Sequence, residues 1–522
     1  MAKDIFADYI NKQKSRASYA ENNTASADKS FTEDNDTVAI LKEISSKLDV
    51  FNKSQAGGSA IEPISAPMPG EDLADLAIVN GMVVLPDNGI FEVNVYIKDG
   101  KIHSLGSYPG LNAKRTIDAG GKYVIPGIID PHVHLGLFAP MAAELESETK
   151  SALIGGITSI GCYFGGKESH FRTFPQIAEE ISRYSYIDII PHLVIATDEQ
   201  RREIVDYIEH LGITSFKVYM NGIPGLIPDV DDGFILDVFE EIKKSNKKCL
   251  VCSHAENRDI VRRAYRSVKA EKGDAATVQD WTDTHPDMAE EEAVMRLSFL
   301  AEKSKVPVYF VHISSKNAIE RLRKIKQGNK YVNIETTSPY LSITRNCTSE
   351  NLIKMEPPFR NIEDVEELWK AVSEGVVDTI GTDNVTMTKA EKRAEDTLWN
   401  TISGYPAVET HLPVLLNEGV VKRGISMEAL IGKLTKKPAE VFGVYPRKGT
   451  LLPGSDADVV IVDMNMVKEV KASERSSRSD FSLYEGRKIK GWPVATIKNG
   501  ELVVENGSFV GKNSNGKYIT RK

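Results

Sequence analysis

Between residues 122 and 384 the chain alternates short apolar stretches with longer amphipathic ones. The apolar stretches are rich in β-branched residues and bounded by turn residues, which indicates buried strands. There are eight of them: KYVIPGIIDPHVH, GITSIGCYF, IDIIPHLVIAT, GITSFKVYM, KKCLVCSHAE, VPVYFVHISS, KYVNIETTSPY and VVDTIGTDN. Intervening segments such as EQRREIVDYIEHLG and EDVEELWKAVSEG space their apolar residues as a helix does. The pattern predicts an α/β fold, a (β/α)8 TIM barrel with its site at the carboxyl ends of the strands.

Both flanks of this region have a different pattern, in which short alternating strands are separated by N-G and D-G turns. Because the two flanks resemble each other, we expect one β-sandwich domain built from both. The predicted division of the chain is an arm at 1–70, the sandwich at 71–125 and 446–511, the barrel at 126–445, and a tail at 512–522.

The first 70 residues contain two polar segments rich in small residues, ENNTASADKSFTEDNDT and SQAGGSAIEPISAPMPG, which are typical of flexible linkers. Between them, DTVAILKEISSKLDVF spaces its apolar residues to form one face of an amphipathic helix: Val38, Leu41, Ile44, Leu48 and Phe51. We expect this arm to dock on its own domain or on a neighbouring subunit. Docking on a separate partner protein is the alternative.

The composition narrows the class of protein. The 522 residues carry a formal net charge of −9, which argues against a surface for nucleic acid or for an anionic membrane. No apolar run approaches the roughly 20 residues that span a bilayer, and MAKDIFADYINKQKS lacks the pattern of a signal peptide. The four cysteines show no disulfide or zinc-knuckle spacing. We therefore predict a soluble cytoplasmic protein.

Six side chains at the predicted strand ends can bind metal. His132 and His134 lie two residues apart on the first strand, so their imidazoles face the same side. The others end the fourth, fifth, sixth and eighth strands: Lys217, His254, His312 and Asp383. Each alone has a common structural explanation, such as a snorkelling lysine or a capping aspartate. Together, on five strand ends of one barrel, they predict a metal centre. The other six of the ten histidines are interpreted as surface or structural residues.

Lys217 is the unusual member of this set, because an ammonium beside two cations would be repelled. If Lys217 takes up carbon dioxide, the resulting carbamate supplies anionic oxygens that can bridge two divalent metal ions. A hydroxide bridging the same ions would have its pKa lowered towards neutrality. Asp383 is then the predicted catalytic residue, which accepts the proton from that hydroxide and delivers it to the leaving nitrogen.

Several motifs occur in the order and spacing of a known family: VIPGIIDPHVHLG, FKVYM, HAEN, VHISS, ETTSPYL, KMEPPFR, IGTDN and GSDADVVIVD. From about residue 75 to 511 the chain resembles the cyclic amidohydrolases of the amidohydrolase superfamily, in the dihydropyrimidinase and hydantoinase branch. The resemblance implies a barrel with two metal ions, usually zinc, and a carboxylated lysine. It also implies a homo-oligomer, a dimer or a tetramer. The metal ligands of this family correspond in position to the same six residues of this chain: His132, His134, Lys217, His254, His312 and Asp383.

The chain departs from this branch around the substrate. Dihydropyrimidinases and hydantoinases place a tyrosine that polarises the substrate carbonyl five residues after the bridging lysine, where this chain has Gly222. Leu135 replaces the arginine that dihydroorotases place after the paired histidines, which argues against dihydroorotate. Ser403 and Asn384 stand where the branch usually has an asparagine and a histidine. Our candidates for substrate contact are Tyr219, Asn221, Ser338, Asn384 and Ser403.

The predicted function is hydrolysis of a small cyclic amide by a metal-bridging hydroxide, with a hydantoin, dihydropyrimidine, lactam or related ureide ring as the substrate. An allantoinase-type activity is the alternative enzyme, since allantoinases also lack the tyrosine. A non-catalytic scaffold like the dihydropyrimidinase-related proteins is a third possibility. Those scaffolds have lost metal ligands, and this chain retains all six.

Overall fold

The structure is a computed structural model that describes residues 73–107, 112–223, 226–348 and 350–521. The predicted N-terminal arm, with its amphipathic helix and its docking, lies outside the described residues.

The described residues form twenty strands. In chain order they are β1 (Ala74–Val79), β2 (Met82–Leu85), β3 (Gly89–Glu92), β4 (Asn94–Lys98), β5 (Lys101–Gly106), β6 (Ala113–Asp118), β7 (Tyr123–Pro126), β8 (Ile128–His134), β9 (Ile157–Phe164), β10 (Asp188–Val194), β11 (Ser215–Tyr219), β12 (Leu250–His254), β13 (Val308–Phe310), β14 (Val332–Thr337), β15 (Thr379–Gly381), β16 (Asn384–Val385), β17 (Val459–Glu469), β18 (Lys488–Lys498), β19 (Glu501–Glu505) and β20 (Ser508–Phe509).

The same part of the chain contains fourteen α-helices. They are α1 (Met141–Ile154), α2 (His170–Tyr184), α3 (Asp198–Arg202), α4 (Ile204–Asp206), α5 (Asp232–Lys244), α6 (Arg258–Lys272), α7 (Val278–Thr284), α8 (Asp287–Ser304), α9 (Lys316–Lys326), α10 (Ile362–Ser373), α11 (Lys389–Lys392), α12 (His411–Leu415), α13 (Met427–Leu434) and α14 (Lys436–Val441). Turns of 3₁₀-helix occur at Gly273–Ala275, Asn351–Ile353, Val408–Thr410 and Ala472–Glu474, and π-helical turns at Tyr207–Leu211 and Leu416–Val421.

The central sheet is a closed parallel barrel, as the pattern of eight apolar stretches predicts. Its strand order is β15-β14-β13-β12-β11-β10-β9-β8-β16. The two ends of this order, β15 and β16, are halves of one interrupted eighth strand. β15 pairs with β14 and β16 pairs with β8, so the sheet closes on itself. Asp383 lies in the interruption between the two halves.

Asp130 holds the closure together from within the first barrel strand. Its carboxylate accepts hydrogen bonds from the Thr382 backbone N–H at 3.0 Å and from the Thr382 hydroxyl at 2.6 Å. It also accepts one from the backbone N–H of His132 at 3.1 Å. Burial raises the pKa of Asp130 to about 7. The first and eighth strands are therefore fixed to each other next to the residues predicted to bind metal.

The amphipathic helices cover the outside of the barrel. Helix α10 begins with a capping box in which the Asn361 and Asp364 side chains each pair with the other's backbone. Its buried face carries Leu368 and Trp369. The segment EQRREIVDYIEHLG, which the pattern predicts as one helix, is instead divided into α3, α4 and a π-helical turn. Gly212 ends it with a positive φ of 65°, which favours glycine.

Both flanks contribute to one sandwich, as the resemblance between them predicts. One sheet has the order β5-β4-β1-β6, and the other has the order β20-β19-β18-β17-β7-β2-β3. The second sheet joins strands from the two flanks through the antiparallel pair β17 and β7. The stretch KYVIPGIIDPHVH therefore holds two strands, because β7 belongs to the sandwich and β8 to the barrel. Buried residues from both flanks share the core between the sheets, among them Val83, Ile97, Val459 and Ile497.

A buried ionic cluster joins the sandwich to the barrel. The Lys448 ammonium lies 2.6 Å from Asp188 of β10 and 2.7 Å from Asp458. It also lies 2.9 Å from Asp456. Lys498 of β18 reaches Asp188 at 2.8 Å. Each charge in the cluster has an opposite charge beside it, which offsets the cost of burial.

The last described residues pack along the barrel. Ile519 donates its backbone N–H to Ile189 of β10 at 2.7 Å. The buried Arg521 side chain donates to the Ser215 hydroxyl at 2.9 Å and to the Pro191 carbonyl at 2.6 Å. Among the described helices, none combines the length and the apolar character that crossing a bilayer requires.

Candidate active site

All six predicted ligands lie at the carboxyl ends of the barrel strands. His132 and His134 end β8, Lys217 lies in β11, and His254 ends β12. The other two follow strands, His312 after β13 and Asp383 after β15.

His132, His134 and Asp383 form the tightest part of this group. Their three ligand atoms lie within 4.8 Å of one another. Asp383 Oδ1 is 3.2 Å from His132 Nε2 and 3.3 Å from His134 Nε2. His132 Nε2 is nevertheless buried without an aligned hydrogen bond. A buried, unpaired imidazole nitrogen beside a second imidazole and a carboxylate is an arrangement that suits the ligands of a common cation.

The pKa values of Asp383 and His134 are shifted in the directions that favour binding of a cation. Burial alone would raise the pKa of Asp383, but the His132 and His134 imidazoles hold it well below its usual range. Burial also lowers the pKa of His134. An ionised carboxylate beside an imidazole whose pKa is lowered is the protonation pattern that favours metal ligation.

Lys217 completes the group as a fully buried lysine. Its Nζ lies 4.9 Å from the ring centroids of both Tyr163 and Tyr219. Among the described residues this Nζ has no hydrogen-bond partner. Burial lowers the pKa of Lys217 to about 8. The neutral amine is the form that reacts with carbon dioxide, so this environment suits the predicted carbamate.

His254 and His312 form the second half of the site. Their ring centroids are 4.6 Å apart, and the His312 ring stacks 5.4 Å from that of His132. His312 Nδ1 is buried without a hydrogen bond within the described residues. The unpaired nitrogens of His132, Lys217 and His312 all lie in one region, and two divalent ions sharing a bridging ligand would satisfy them.

Glu335 and Glu256 orient the histidines from behind, and the sequence alone did not reveal them. Glu335 accepts hydrogen bonds from His132 Nδ1 at 2.8 Å, from the His312 backbone N–H at 2.9 Å and from the Tyr309 hydroxyl at 2.6 Å. Glu256 lies 2.9 Å from His254 Nε2. Such carboxylates fix the ring orientation of metal-binding histidines. A glutamate two residues after His254, in HAEN, was the available signal.

His285, interpreted from sequence as surface or structural, is a buried partner of Glu256. Its Nδ1 lies 3.1 Å from the Glu256 carboxylate. Burial opposes its charge, but Glu256 outweighs burial and raises the pKa of His285. His285 thereby belongs to the hydrogen-bonded shell behind His254.

Two of the six predicted ligands have an unusual backbone conformation. His312 has a φ of +43° and Asp383 a φ of +56°, in the left-handed region that residues with side chains rarely adopt. Positive φ at non-glycine residues is concentrated at functional sites, where surrounding structure compensates the strain. Here the hydrogen bonds of Glu335 and Asp130 to neighbouring backbone provide that support.

The five candidates for substrate contact have different surroundings. Tyr219 stacks on His254 with ring centroids 5.8 Å apart, and burial followed by the charge of Asp383 raises its pKa. Asn221 donates to Glu256 at 3.3 Å, and its Oδ1 is buried without a partner among the described residues. The Ser403 hydroxyl donates to Glu356 at 2.9 Å.

The other two candidates are paired within the barrel. The Ser338 hydroxyl lies 2.8 Å from His411 Nδ1. Asn384 Oδ1 accepts a hydrogen bond from the Ala407 backbone N–H at 2.7 Å. Substrate contact by these five residues stays a prediction.

The comparison with protein families matches residues 123–503 to the model described as "Amidohydrolase family". The match covers more than half of the chain and contains all six predicted ligands. This chain is a member of the amidohydrolase family.

Two hydantoinases are similar in sequence to this amidohydrolase over most of its length. It is 31% identical over 464 residues to the L-hydantoinase of Paenarthrobacter aurescens, a match covering 85% of this chain and 98% of that protein. It is 32% identical over 471 residues to the D-hydantoinase of Ralstonia pickettii, covering 86% and 99%.

Solved structures agree with these relatives. The amidohydrolase superposes on a D-hydantoinase with a TM-score of 0.80 at 31% identity, covering 86% of this chain and 99% of the other. It superposes on the dihydropyrimidinase from Brevibacillus agri NCHU1002 with the same TM-score at 28% identity, covering 85% and 98%. The barrel and sandwich predicted from the sequence are confirmed.

Proposed function

We propose that this amidohydrolase opens a small cyclic amide by hydrolysis. The observation that carries the proposal is the convergence of the His132, His134 and Asp383 ligand atoms within 4.8 Å of one another, with His132 Nε2 buried and without a hydrogen bond among the described residues. Relatives named as hydantoinases along nearly their whole length support the same reaction class.

The residues present fit two divalent metal ions, which we propose to be zinc. His132, His134 and Asp383 would hold one ion, and His254 and His312 the other. A carbamate on Lys217 would connect them. When bound, such ions act as Lewis acids and lower the pKa of the attacking water.

The protein's own residues account for the proton movements. Asp383 stays ionised because its pKa is held low, so its carboxylate can accept the proton of the attacking water. The same carboxyl can then protonate the ring nitrogen as the carbon–nitrogen bond breaks. Glu335 holds the His132 ring in place throughout, because its carboxylate accepts a hydrogen bond from His132 Nδ1.

A hydantoin or dihydropyrimidine ring is the substrate class that the named relatives favour. Their names do not favour the allantoinase alternative. The non-catalytic scaffold is disfavoured because all six ligand positions are present and lie at one end of the barrel.

We also propose that the protein is a homo-oligomer in which the N-terminal arm docks on a subunit. The support is the resemblance to a branch of dimers and tetramers, together with the amphipathic pattern of residues 38–51. The division of the chain that we propose is an arm at 1–70, a sandwich at 71–125 and 446–511, a barrel at 126–445 and a tail at 512–522.

The decisive experiment incubates the purified metal-loaded protein with a panel of hydantoins, dihydrouracil, allantoin and simple lactams. Ring opening is measured as loss of the ring amide and appearance of the open-chain acid. We expect turnover of a hydantoin or dihydropyrimidine. Turnover of allantoin alone would identify the alternative enzyme, and no turnover in protein with verified metal would contradict the proposal.

A further inference from the structure

Tyr219 is a buried tyrosine beside the proposed metal site, and its hydroxyl is not used by the protein. The residue is 4% exposed. Its ring packs 4.9 Å from Lys217 Nζ and stacks on His254. None of the hydrogen bonds among the described residues uses the Tyr219 hydroxyl, and this oxygen is not one of the buried side-chain atoms that lie sealed from solvent without a partner. The hydroxyl is therefore open to solvent and available to a ligand in the site, although most of the side chain is buried.

The strand geometry directs Tyr219 into the site. Lys217 and Tyr219 are two residues apart on β11, so their side chains lie on the same face of the strand. Val218 lies between them in the chain, so its side chain lies on the opposite face of the strand, and it packs in the main hydrophobic core. Tyr219 instead packs with Val194 and Ile227, which form a small apolar wall around its ring. That wall holds the ring in place, so the hydroxyl is positioned before a substrate binds.

Opening a ring amide requires a hydrogen-bond donor at the carbonyl oxygen. Negative charge develops on this oxygen as water adds to the carbonyl carbon, and a donor fixed in advance stabilises that charge. On the proposed function, we infer that the Tyr219 hydroxyl donates a hydrogen bond to the carbonyl oxygen of the scissile ring amide. Tyr219 is thereby a catalytic residue of this amidohydrolase.

The step balances without a further reactant. The oxygen of water bonds to the carbonyl carbon, and the carbonyl π pair moves onto the oxygen that Tyr219 holds. One proton of the water passes to Asp383 and then to the ring nitrogen as the carbon–nitrogen bond breaks. The carbonyl re-forms, and the products are an acid and an amine or ureide within one opened chain. Tyr219 keeps its proton throughout.

Gly222 cannot supply a side chain for the same purpose. Its φ is +68°, and a Cβ built there would lie 2.6 Å from the Asp229 backbone nitrogen and 2.9 Å from the Ile227 carbonyl oxygen. The backbone after β11 is folded tightly where other members of the branch have a tyrosine. A donor from this strand end therefore has to come from another position, and Tyr219 is the hydroxyl on the inward face.

The test is the Tyr219→Phe variant, which removes the hydroxyl and keeps the ring. With the substrate identified from the panel, we expect kcat to fall about 100-fold, as on losing one oxyanion donor. We expect KM to change by less than about threefold, because the bond strengthens mainly in the transition state. Metal content is measured on the same preparation and should equal that of the wild type.

Tyr207→Phe is the control. Tyr207 is a fully buried tyrosine in the π-helical turn outside the barrel strands, and its hydroxyl accepts a hydrogen bond from the His170 backbone N–H at 3.0 Å. We expect this variant to keep wild-type kcat within about threefold. Equal losses in both variants would mean that removing any buried tyrosine hydroxyl explains the effect, which would overturn the inference.

The outcomes separate this inference from the proposed function. A wild-type enzyme that opens the ring while Tyr219→Phe retains its kcat would overturn the role of Tyr219 and leave the function intact. A wild-type protein with verified metal that opens no ring amide would overturn both. A selective loss of kcat in Tyr219→Phe, with metal content unchanged, is the expected result.

Discussion

The Glu335 carboxylate accepts a hydrogen bond from His132 Nδ1 at 2.8 Å, and both side chains are fully buried. This bond fixes the His132 ring so that Nε2 faces Asp383. Glu335 also accepts the backbone N–H of His312, one of the two ligand positions with a positive φ. One carboxylate thus positions ligands proposed for two different metal ions.

Replacing Glu335 by glutamine tests this arrangement. The amide keeps the size of the side chain but lacks the charge that holds the His132 Nδ1 proton. We expect the affinity for divalent metal to fall by about 10- to 100-fold, the usual effect of losing such a partner. A chelator competition titration measures the affinity. Glu291→Gln is a control on helix α8, where Glu291 pairs with Arg321, and it should bind metal like the wild type.

The arrangement of the barrel could be predicted from the sequence because apolar stretches and strand ends are local features. Each proposed ligand lies within, at or just after its strand, so its position followed once the strands were identified. KYVIPGIIDPHVH was counted as one strand because β7 and β8 are separated only by Gly127 and the apolar pattern continues across it, although the predicted domain boundary between residues 125 and 126 falls inside the stretch. Which sheet each half joins depends on partners more than 300 residues away, such as β17.

The residues that support the ligands could not be predicted in the same way. Glu335 is an ordinary glutamate within the strand stretch KYVNIETTSPY, and its role depends on β13 and β14 being adjacent. The break in the helix at residues 198–211 likewise depends on packing, since the segment is amphipathic throughout. Asn384 accepts a hydrogen bond from the Ala407 backbone N–H, which lies in the loop after the eighth strand. This contact depends on how that loop folds, so the sequence did not reveal it.

Metal content is the most direct prediction. Six ligand positions and a carbamate would hold about two divalent ions per chain. Elemental analysis of protein prepared with zinc and without chelators should find this ratio, and removing the metal should abolish turnover. Protein that carries no metal under these conditions would contradict the proposed function.

Deleting residues 1–70 should leave the catalytic unit intact. The described strands begin at Ala74, and the six ligand positions all follow it in the chain. We expect an unchanged melting temperature and metal content, with any effect confined to the assembly state. Light scattering and elemental analysis of the truncated protein measure these quantities. Loss of metal or aggregation would show that the arm belongs to the core.

The Lys448 cluster predicts how stability depends on pH. Burial alone would raise the pKa of Asp456, but the charge of Lys448 outweighs burial and lowers this pKa to about 2. The pKa of an aspartate in an unfolded chain is about 3.9. Because the folded-state pKa is the lower one, this stabilisation is present above about pH 4 and is lost as pH falls towards 2.

Lys448→Met should lower the free energy of unfolding by about 3–5 kcal/mol at neutral pH, because it leaves three buried aspartates short of a counter-charge. Urea denaturation at several pH values measures both effects. The free energy of the wild type should fall more steeply than that of the variant between about pH 4 and 2. Equal slopes would contradict the role assigned to Lys448.

Lys217→Ala tests the feature that distinguishes this mechanism from general metal-assisted hydrolysis. The variant loses the proposed carbamate and with it the ligand shared by the two ions. We expect the metal content to fall below about two ions per chain and kcat to fall by at least about 100-fold. Elemental analysis and the ring-opening assay measure the two effects. If Lys217→Ala kept both ions and near-normal turnover, the bridging role would be wrong.

Chemical rescue makes the Lys217 prediction more specific. A short carboxylic acid such as acetate or propionate can occupy the space that the side chain leaves and supply two anionic oxygens. We expect it to restore part of the activity and the metal content of Lys217→Ala in a saturable way. Lys217→Arg is the contrasting variant, because guanidinium stays charged and fills the space. It should show neither activity nor rescue, and rescue of Lys217→Arg to the same extent would mean that the acids act elsewhere.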